Sequence, residues 1–158
     1  MRQELAQLGN GAHALAIQIL GNVDDAADAV HDSFASILAK PDAYDSSKGP
    51  LKPWFFRVVR NRCLDMIRRR RSNEPADQLT DAAPGPEERA ALEQRSARIT
   101  AALAHLSQDK REVIVLRDFL DLSYAEVADV LDVAPGTVMS RIHRARLDLK
   151  EALGSYEE

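Results

Sequence analysis

The chain has 158 residues, of which 45% are hydrophobic, 29% charged and 5% aromatic, and its formal net charge is −4. That is one ordinary domain or two small ones, soluble and globular in composition, and the overall charge singles out no nucleic-acid partner. One cysteine, Cys63, excludes an internal disulfide and a cysteine-built metal cluster and points to a reducing cytoplasm; no apolar run approaches the roughly 18 residues of a membrane span, and Arg2-Gln3-Glu4 opens no secretory signal.

Residues 12–20 (AHALAIQIL) predict a short apolar helix, with Gly21-Asn22 as its stop. Asp24 and Asp25 then open a second helix, where carboxylates meet the positive end of the dipole. Val23, Ala26, Val30, Phe34, Ile37 and Leu38 recur at helical spacing and predict its inward face, leaving Asp25, Asp28 and Asp32 on the other. Pro41 ends it, and 42–52 is a loop by its Ser, Gly and Pro content. Pro53 fits the first position of a third helix that runs to Arg71. Phe55, Phe56, Val59, Cys63, Met66 and Ile67 make one face of it; Arg57, Arg60, Asn61, Arg68 and Arg71 make the opposite one. Residues 72–86 hold three prolines and a glycine without periodicity, and predict a flexible linker between lobes 1–71 and 87–158.

Residues 87–106 predict an amphipathic helix, and Gln108 to Phe119 another, with Val113, Leu116 and Leu120 inward. Ser123-Tyr124-Ala125-Glu126 is a capping box that starts a further helix, whose apolar set is Val127, Ala128, Val130 and Leu131. Asp132-Val133-Ala134 separates it from Pro135, again a first-position proline, and Val138, Ile142, Ala145 and Leu149 face inward on the last helix. There is no convincing strand and no internal repeat. The expected fold class is all-α, with two small helical domains joined by the linker.

The segment from Ser123 to Arg146 carries the sharpest signal. A capped helix, a tight turn and a proline-started helix with a basic outer face have the layout of a helix-turn-helix, whose second helix enters the major groove of DNA. Thr137, Ser140, Arg141, His143 and Arg144 lie on its outer surface. An ordinary helical hairpin with a solvated basic face is the weaker alternative. A second signal lies at Pro53 to Arg71, where arginines accompany Trp54, Phe55 and Phe56. Phosphate attraction beside stacking surface suits melted or single-stranded DNA, although at least one of the two phenylalanines belongs to the core.

Charge is unevenly spread. Between Asp24 and Asp45 there are six acids and one base; between Lys52 and Arg71, eight bases and one acid. Glu74 to Glu88 holds five acids and no base, and Arg141 to Lys150 four bases and one acid. DNA alone gains nothing from acidic blocks, so they predict a second, basic partner or self-screening of the free protein. Asp25, Asp28 and Asp32 form a protein-docking face on this reading, since an exposed helix face lacks a liganding loop for a metal. His13, His31, His105 and His143 have no ligand spacing, no phosphate-cradling loop or nucleophile elbow is present, and Cys63 sits on an apolar face. Neither an enzyme activity nor a cofactor is expected.

Taken together, the segments resemble the extracytoplasmic function (ECF) group of the sigma-70 family of bacterial transcription initiation factors. Asp25 to Phe34 (DAADAVHDSF) resembles the family's region 2 stretch D-A-x-D-x-V-Q-[DE]-x-F, and Trp54 to Arg62 (WFFRVVRNR) with Leu64-Asp65 and Arg68 to Arg71 resembles the helix that follows. Leu122 to Ala128 (LSYAEVA), Pro135 to Val138 (PGTV), Ser140-Arg141 and Arg144-Ala145-Arg146 resemble region 4. The resemblance implies a promoter-specificity subunit. Asp25, Asp28, His31 and Asp32 would dock on the β′ clamp helices of core RNA polymerase, and region 4 would meet the β flap. Trp54, Arg57, Arg60, Asn61, Arg68 and Arg71 would hold the melted −10 element, and Thr137, Ser140, Arg141, His143, Arg144 and Arg146 would read the −35 element. It also implies an anti-sigma factor as partner and a cytoplasmic location. His31 replaces the usual Gln, Ser107 a common Pro, Asp132 a common Gly and Met139 a common basic residue. The short first helix predicts that the native lobe starts before Met1. Two other functions fit less of the chain. A sigma-like adaptor that sequesters an anti-sigma factor has no need of two basic DNA helices, and a stand-alone repressor leaves the first 71 residues unused.

Overall fold

The computed structural model describes residues 2–73 and 90–154, and every regular element among them is helical. The first lobe contains α1 (Arg2–Gln7), α2 (Gly9–Leu20), α3 (Val23–Ala39) and α4 (Leu51–Asn73). The second contains α5 (Ala90–Ala104), α6 (Gln108–Ile114), α7 (Tyr124–Leu131) and α8 (Pro135–Gly154). The expected linker lies outside the described residues from position 74, and its first residue, Ser72, is still helical. Residues 87–89 of the helix expected from 87 also lie outside them.

Local signals account for the helix ends. Gly21 takes the left-handed conformation (φ 74°) and donates its N–H to the Ile17 carbonyl, closing α2. Asn22 caps α3 by accepting from the Asp25 N–H at 2.9 Å. The side-chain cap is thus two positions before Asp24, the first of the aspartates that the sequence pattern marks as the helix opening. Ser107, in place of the family's proline, caps α6 by accepting from Lys110. Ser123 and Glu126 complete the reciprocal capping box at α7, at 3.1 and 2.8 Å. Asp132 ends α7 in the left-handed region (φ 61°), a conformation that Asp tolerates better than most residues with a Cβ.

Three expectations need correction. The chain before residue 12 is helical: α2 starts at Gly9, and α1 precedes it with Leu5 buried. Helix α4 starts at Leu51, two residues before Pro53, which is compatible because N–H groups of a first helical turn have no intrahelical acceptor to lose. Val23 and Leu38, expected inward, are exposed by 59% and 45%: Val23 is the first residue of α3, and Leu38 points about 100° around the axis from Ile37, which is buried in the same turn.

Phe55, Phe56, Val59 and Cys63 of α4 are fully buried against Ala12, Leu15 and Ala16 of α2 and Ala26, Ala29 and Val30 of α3. Phe55 lies between Phe34 and Phe56, with ring centroids 5.1 and 5.7 Å away. Each such phenylalanine contributes about 1.5–3 kcal/mol by burial. In the second lobe, Val127, Val130 and Leu131 of α7 meet Val138, Ile142 and Ala145 of α8. The chain following α6 widens into a π-helical turn (Val115–Phe119), closed by the Leu120 N–H on the Val115 carbonyl at 2.8 Å.

The two lobes are not separate bodies joined only by a tether. Helix α4 packs on α7 and α2 on α6, and one apolar cluster runs through both lobes. Gly11, inside α2, permits this approach: a Cβ there would lie 2.8 Å from Leu120 Cδ2 of the second lobe and 3.2 Å from Phe56 Cζ.

Candidate nucleic-acid and protein interface

Helices α7 and α8, with the turn 132–134 between them, form the expected helix-turn-helix. Burial of Val138, Ile142 and Ala145 fixes the rotation of α8, so Ser140, His143, Arg144 and Arg146 are exposed, and Thr137 and Arg141 are half-buried at its edge. Thr137, Ser140, Arg141 and Arg144 follow at helical spacing along one side. Arg146 is already engaged: its Nη2 and Nε donate to Asp118 at 2.5 and 3.1 Å, and this carboxylate pushes the guanidinium pKa up. Met139, in place of a common basic residue, is 55% exposed on the same helix.

The second candidate surface is α4 and the loop before it. Trp54 is half-buried and lies 5.0 Å from the ring of Tyr44. The Tyr44 hydroxyl donates to the Gly49 carbonyl at 2.8 Å, and Asp45 accepts from the Ser47 hydroxyl and N–H at 2.7 and 3.0 Å. Those bonds, the hydroxyl first, hold the Asp45 pKa below its ordinary value. The braced loop and α4 enclose a cleft of about 270 Å³, whose walls include Tyr44, Lys48, Trp54 and Arg57. An aromatic pair beside two cations can take a flat, unpaired base and its phosphate. Asp129, from α7 of the second lobe, also lines this cleft.

Arg57, Asn61, Arg68 and Arg71 are exposed as the α4 pattern predicts. Arg68 contacts Asp65 one turn back at 2.6 Å, a solvated pair of little energetic weight. Arg60 differs. Its Nε donates to Glu112 Oε1 at 2.6 Å across the lobe boundary, and the side chains of the two are 17% and 1% exposed. Gln108 Nε2 donates to the other Glu112 oxygen at 2.8 Å. Beside this, Arg111 donates to the Gln18 carbonyl of the first lobe at 3.3 and 3.4 Å. Sequence reasoning missed Glu112, Asp129 and Tyr44; Glu112 reads as one more charge on an amphipathic helix, because its partner lies 52 positions away.

The acidic face of α3 is divided. Asp28 and His31 are exposed, whereas Asp32 accepts from Arg62 at 2.7 Å and Asp25 accepts from Arg70. Through these two pairs the acidic block of α3 and the basic block of α4 partly screen each other, one of the two roles expected of such blocks. Cys63 is buried under α4 with its thiol pKa pushed up to about 12, chiefly by burial and secondly by the Glu112 charge. That fits a packing residue and not a nucleophile. Among the described residues no group of His, Cys, Asp and Glu is arranged to hold a metal ion, and no helix is long and apolar enough to cross a membrane.

Family comparisons agree with this division. Residues 5–73 match Sigma-70 region 2, and residues 96–149 match Sigma-70, region 4. The chain is 33% identical over 156 residues to the ECF RNA polymerase sigma factor SigE of Mycolicibacterium smegmatis, a match covering 95% of this chain and 60% of that protein. It is 34% identical over 158 residues to EcfG of Rhodopseudomonas palustris, covering 97% of this chain and 84% of that one. Among solved structures, the sigma factor RpoE in complex with the anti-sigma factor NepR from Bartonella quintana is similar with a TM-score of 0.82 and 32% identity, covering 97% and 96% of the two chains. With both regions matched in order and similarity over nearly its whole length, the chain belongs to the sigma-70 family, in the ECF group of RNA polymerase sigma factors.

Proposed function

We propose that this chain is a promoter-specificity subunit that binds core RNA polymerase and directs initiation at promoters carrying its −10 and −35 elements. The observation that carries this reading is the presence, in one chain, of two unlike DNA-competent surfaces. One is a rigid recognition helix with Ser140, His143 and Arg144 outward; the other is an aromatic and basic cleft built by Tyr44, Trp54 and Arg57. The first suits base edges in a duplex groove and the second suits bases that have left the stack.

In this reading Asp25, Asp28, His31 and Asp32 dock on the β′ clamp helices. Trp54, Arg57, Arg60, Asn61, Arg68 and Arg71 hold the melted −10 strand. Thr137, Ser140, Arg141, His143, Arg144 and Arg146 read the −35 duplex, while region 4 also meets the β flap. Catalysis belongs to the polymerase, and the chain itself needs no cofactor. The protein works in the cytoplasm, and an anti-sigma factor restrains it, as NepR is bound to the similar RpoE.

The test is run-off transcription with core polymerase on a library of genomic fragments from the host. Specific transcripts that depend on this chain support the reading. Binding to an anti-sigma factor with no transcript from any fragment would leave the sequestering adaptor as the function.

A further inference from the structure

We propose that Met139 sets part of the −35 preference of this chain by seating its side chain against the C5-methyl group of a thymine. The proposal deepens the −35 reading of α8 given above and rests on it. Burial of Val138, Ile142 and Ala145 fixes the rotation of α8, and this rotation leaves Met139 55% exposed and outside the apolar cluster. Among the described residues it is the one large apolar side chain exposed in the first three turns of α8; the other on this helix, Leu147, comes more than three turns after Pro135. In a helix-turn-helix the N-terminal residues of the second helix are the ones that meet base edges. Met139 precedes Ser140 and shares its side of the helix with Gly136, three residues before, and His143, four after. Gly136 is exposed, and a Cβ added there would meet nothing within 4 Å. The approach to Met139 is therefore open from the start of the helix.

The chemistry of the side chain selects the base. A thioether has no hydrogen-bond donor and only a weak acceptor, so it reads none of the polar groups along the groove. It also gains nothing from phosphate charge, unlike the basic residue common at this position. Of the groups that the major groove displays, the thymine methyl is the apolar one. Methionine is unbranched and polarisable and adapts to such a surface. Ser140, Arg141, His143 and Arg144 keep the polar readout and the attraction to phosphate. Met139 in place of a cation thus exchanges sequence-blind attraction for a preference at one base pair.

The experiment uses this chain with core polymerase on a promoter obtained from the genomic run-off above. Each thymine of the −35 element, on either strand, is replaced in turn by uracil, which keeps every hydrogen-bonding group and loses only the methyl. Affinity of the holoenzyme for each duplex is then measured over a range of salt concentrations. For the unsubstituted chain, one replacement should weaken binding about fourfold, the weight of a single methyl group kept from water. Met139→Ala should weaken binding to the thymine duplex by a similar factor and bind the thymine and uracil forms at that position equally. Met139→Lys should also lose the discrimination and, by adding a phosphate contact, steepen the fall of log affinity with log salt by about 0.9. The absence of any uracil effect in the unsubstituted chain, or an effect that survives in Met139→Ala, overturns the proposal. So does an unchanged salt slope for Met139→Lys, which would mean that position 139 does not reach the duplex. A loss for Met139→Ala that is equal on every duplex, including one with the −35 element scrambled, overturns it too and places Met139 against protein. Failure of the −35 reading itself looks different: no fragment yields a promoter, or scrambling the element leaves the affinity of the unsubstituted chain unchanged, and the proposal falls with it.

Discussion

Arg60→Met removes one half of a charge pair whose other half is 1% exposed. Methionine keeps most of the volume but leaves Glu112 with a single neutral donor, Gln108, at 2.8 Å. Stripping the partner from a buried ion costs about 3–5 kcal/mol, and since Arg60 retains some access to water the lower end, about 3 kcal/mol, applies here. The penalty has a ceiling, however. The lobes can part and hydrate Glu112, so the loss cannot exceed the free energy that holds them together. Urea unfolding, followed by far-ultraviolet circular dichroism and by Trp54 fluorescence, measures both quantities. A loss near 3 kcal/mol with coincident transitions means that the lobes stay together and bear the strain. A smaller loss with separated transitions means that they open. Glu112→Gln in the Arg60→Met background should recover most of the loss, because no charge is left to strand. A loss below about 0.5 kcal/mol with coincident transitions, the size of an ordinary surface substitution, would refute the reasoning, since it would mean that the pair is solvated.

Asp28→Ala with Asp32→Ala should weaken core polymerase binding several-fold in a competition assay while the helical signal is kept, because Asp28 is exposed and the Asp32–Arg62 pair is partly solvated and of little energetic weight; unchanged affinity would remove α3 from the docking surface. Trp54→Ala should impair promoter opening, scored by permanganate reactivity, more than closed-complex binding, by about 1–3 kcal/mol per lost stack; equal losses would make Trp54 a packing residue. Arg144→Ala should relax preference at one −35 position in a single-base promoter library, whereas Arg146→Ala should lower output evenly, as a phosphate contact does; a uniform loss for Arg144→Ala would transfer base readout to its neighbours. Cys63, with its thiol pushed up to about 12 by burial, should resist iodoacetamide at pH 8 in the folded protein and react once unfolded in urea; fast labelling of the native chain would contradict its burial.

What could be read from sequence was what is encoded within a turn or two. The Ser123 to Glu126 box, Gly21, Pro135 and the α4 face with Phe55, Phe56, Val59 and Cys63 each depend on neighbours within a few positions. The start of α4 escaped because proline is tolerated at several positions of a first turn, so Pro53 marked the neighbourhood and not the residue. Val23 and Leu38 were misjudged because periodicity says which face an apolar residue shares, not whether another helix reaches it. The contact between the lobes left no periodic trace at all. Arg60 and Glu112 find each other through the fold, and each looks like a solvent-facing charge on its own helix.

Five consecutive residues, Glu112 to Leu116, are buried, and five successive residues on a helix point in every direction around its axis. A helix covered on all sides needs neighbours on all sides, and α2 of the first lobe is one of them. When the lobes separate, part of this run meets water, and the opened chain carries a sticky apolar flank. Such a molecule tends to precipitate or self-associate as its concentration rises. An opened form would therefore be a poor one in which to store the protein, and a macromolecule that covered the flank would keep it in solution. Overproduced variants that favour opening should accumulate in inclusion bodies, while the closed chain stays in solution.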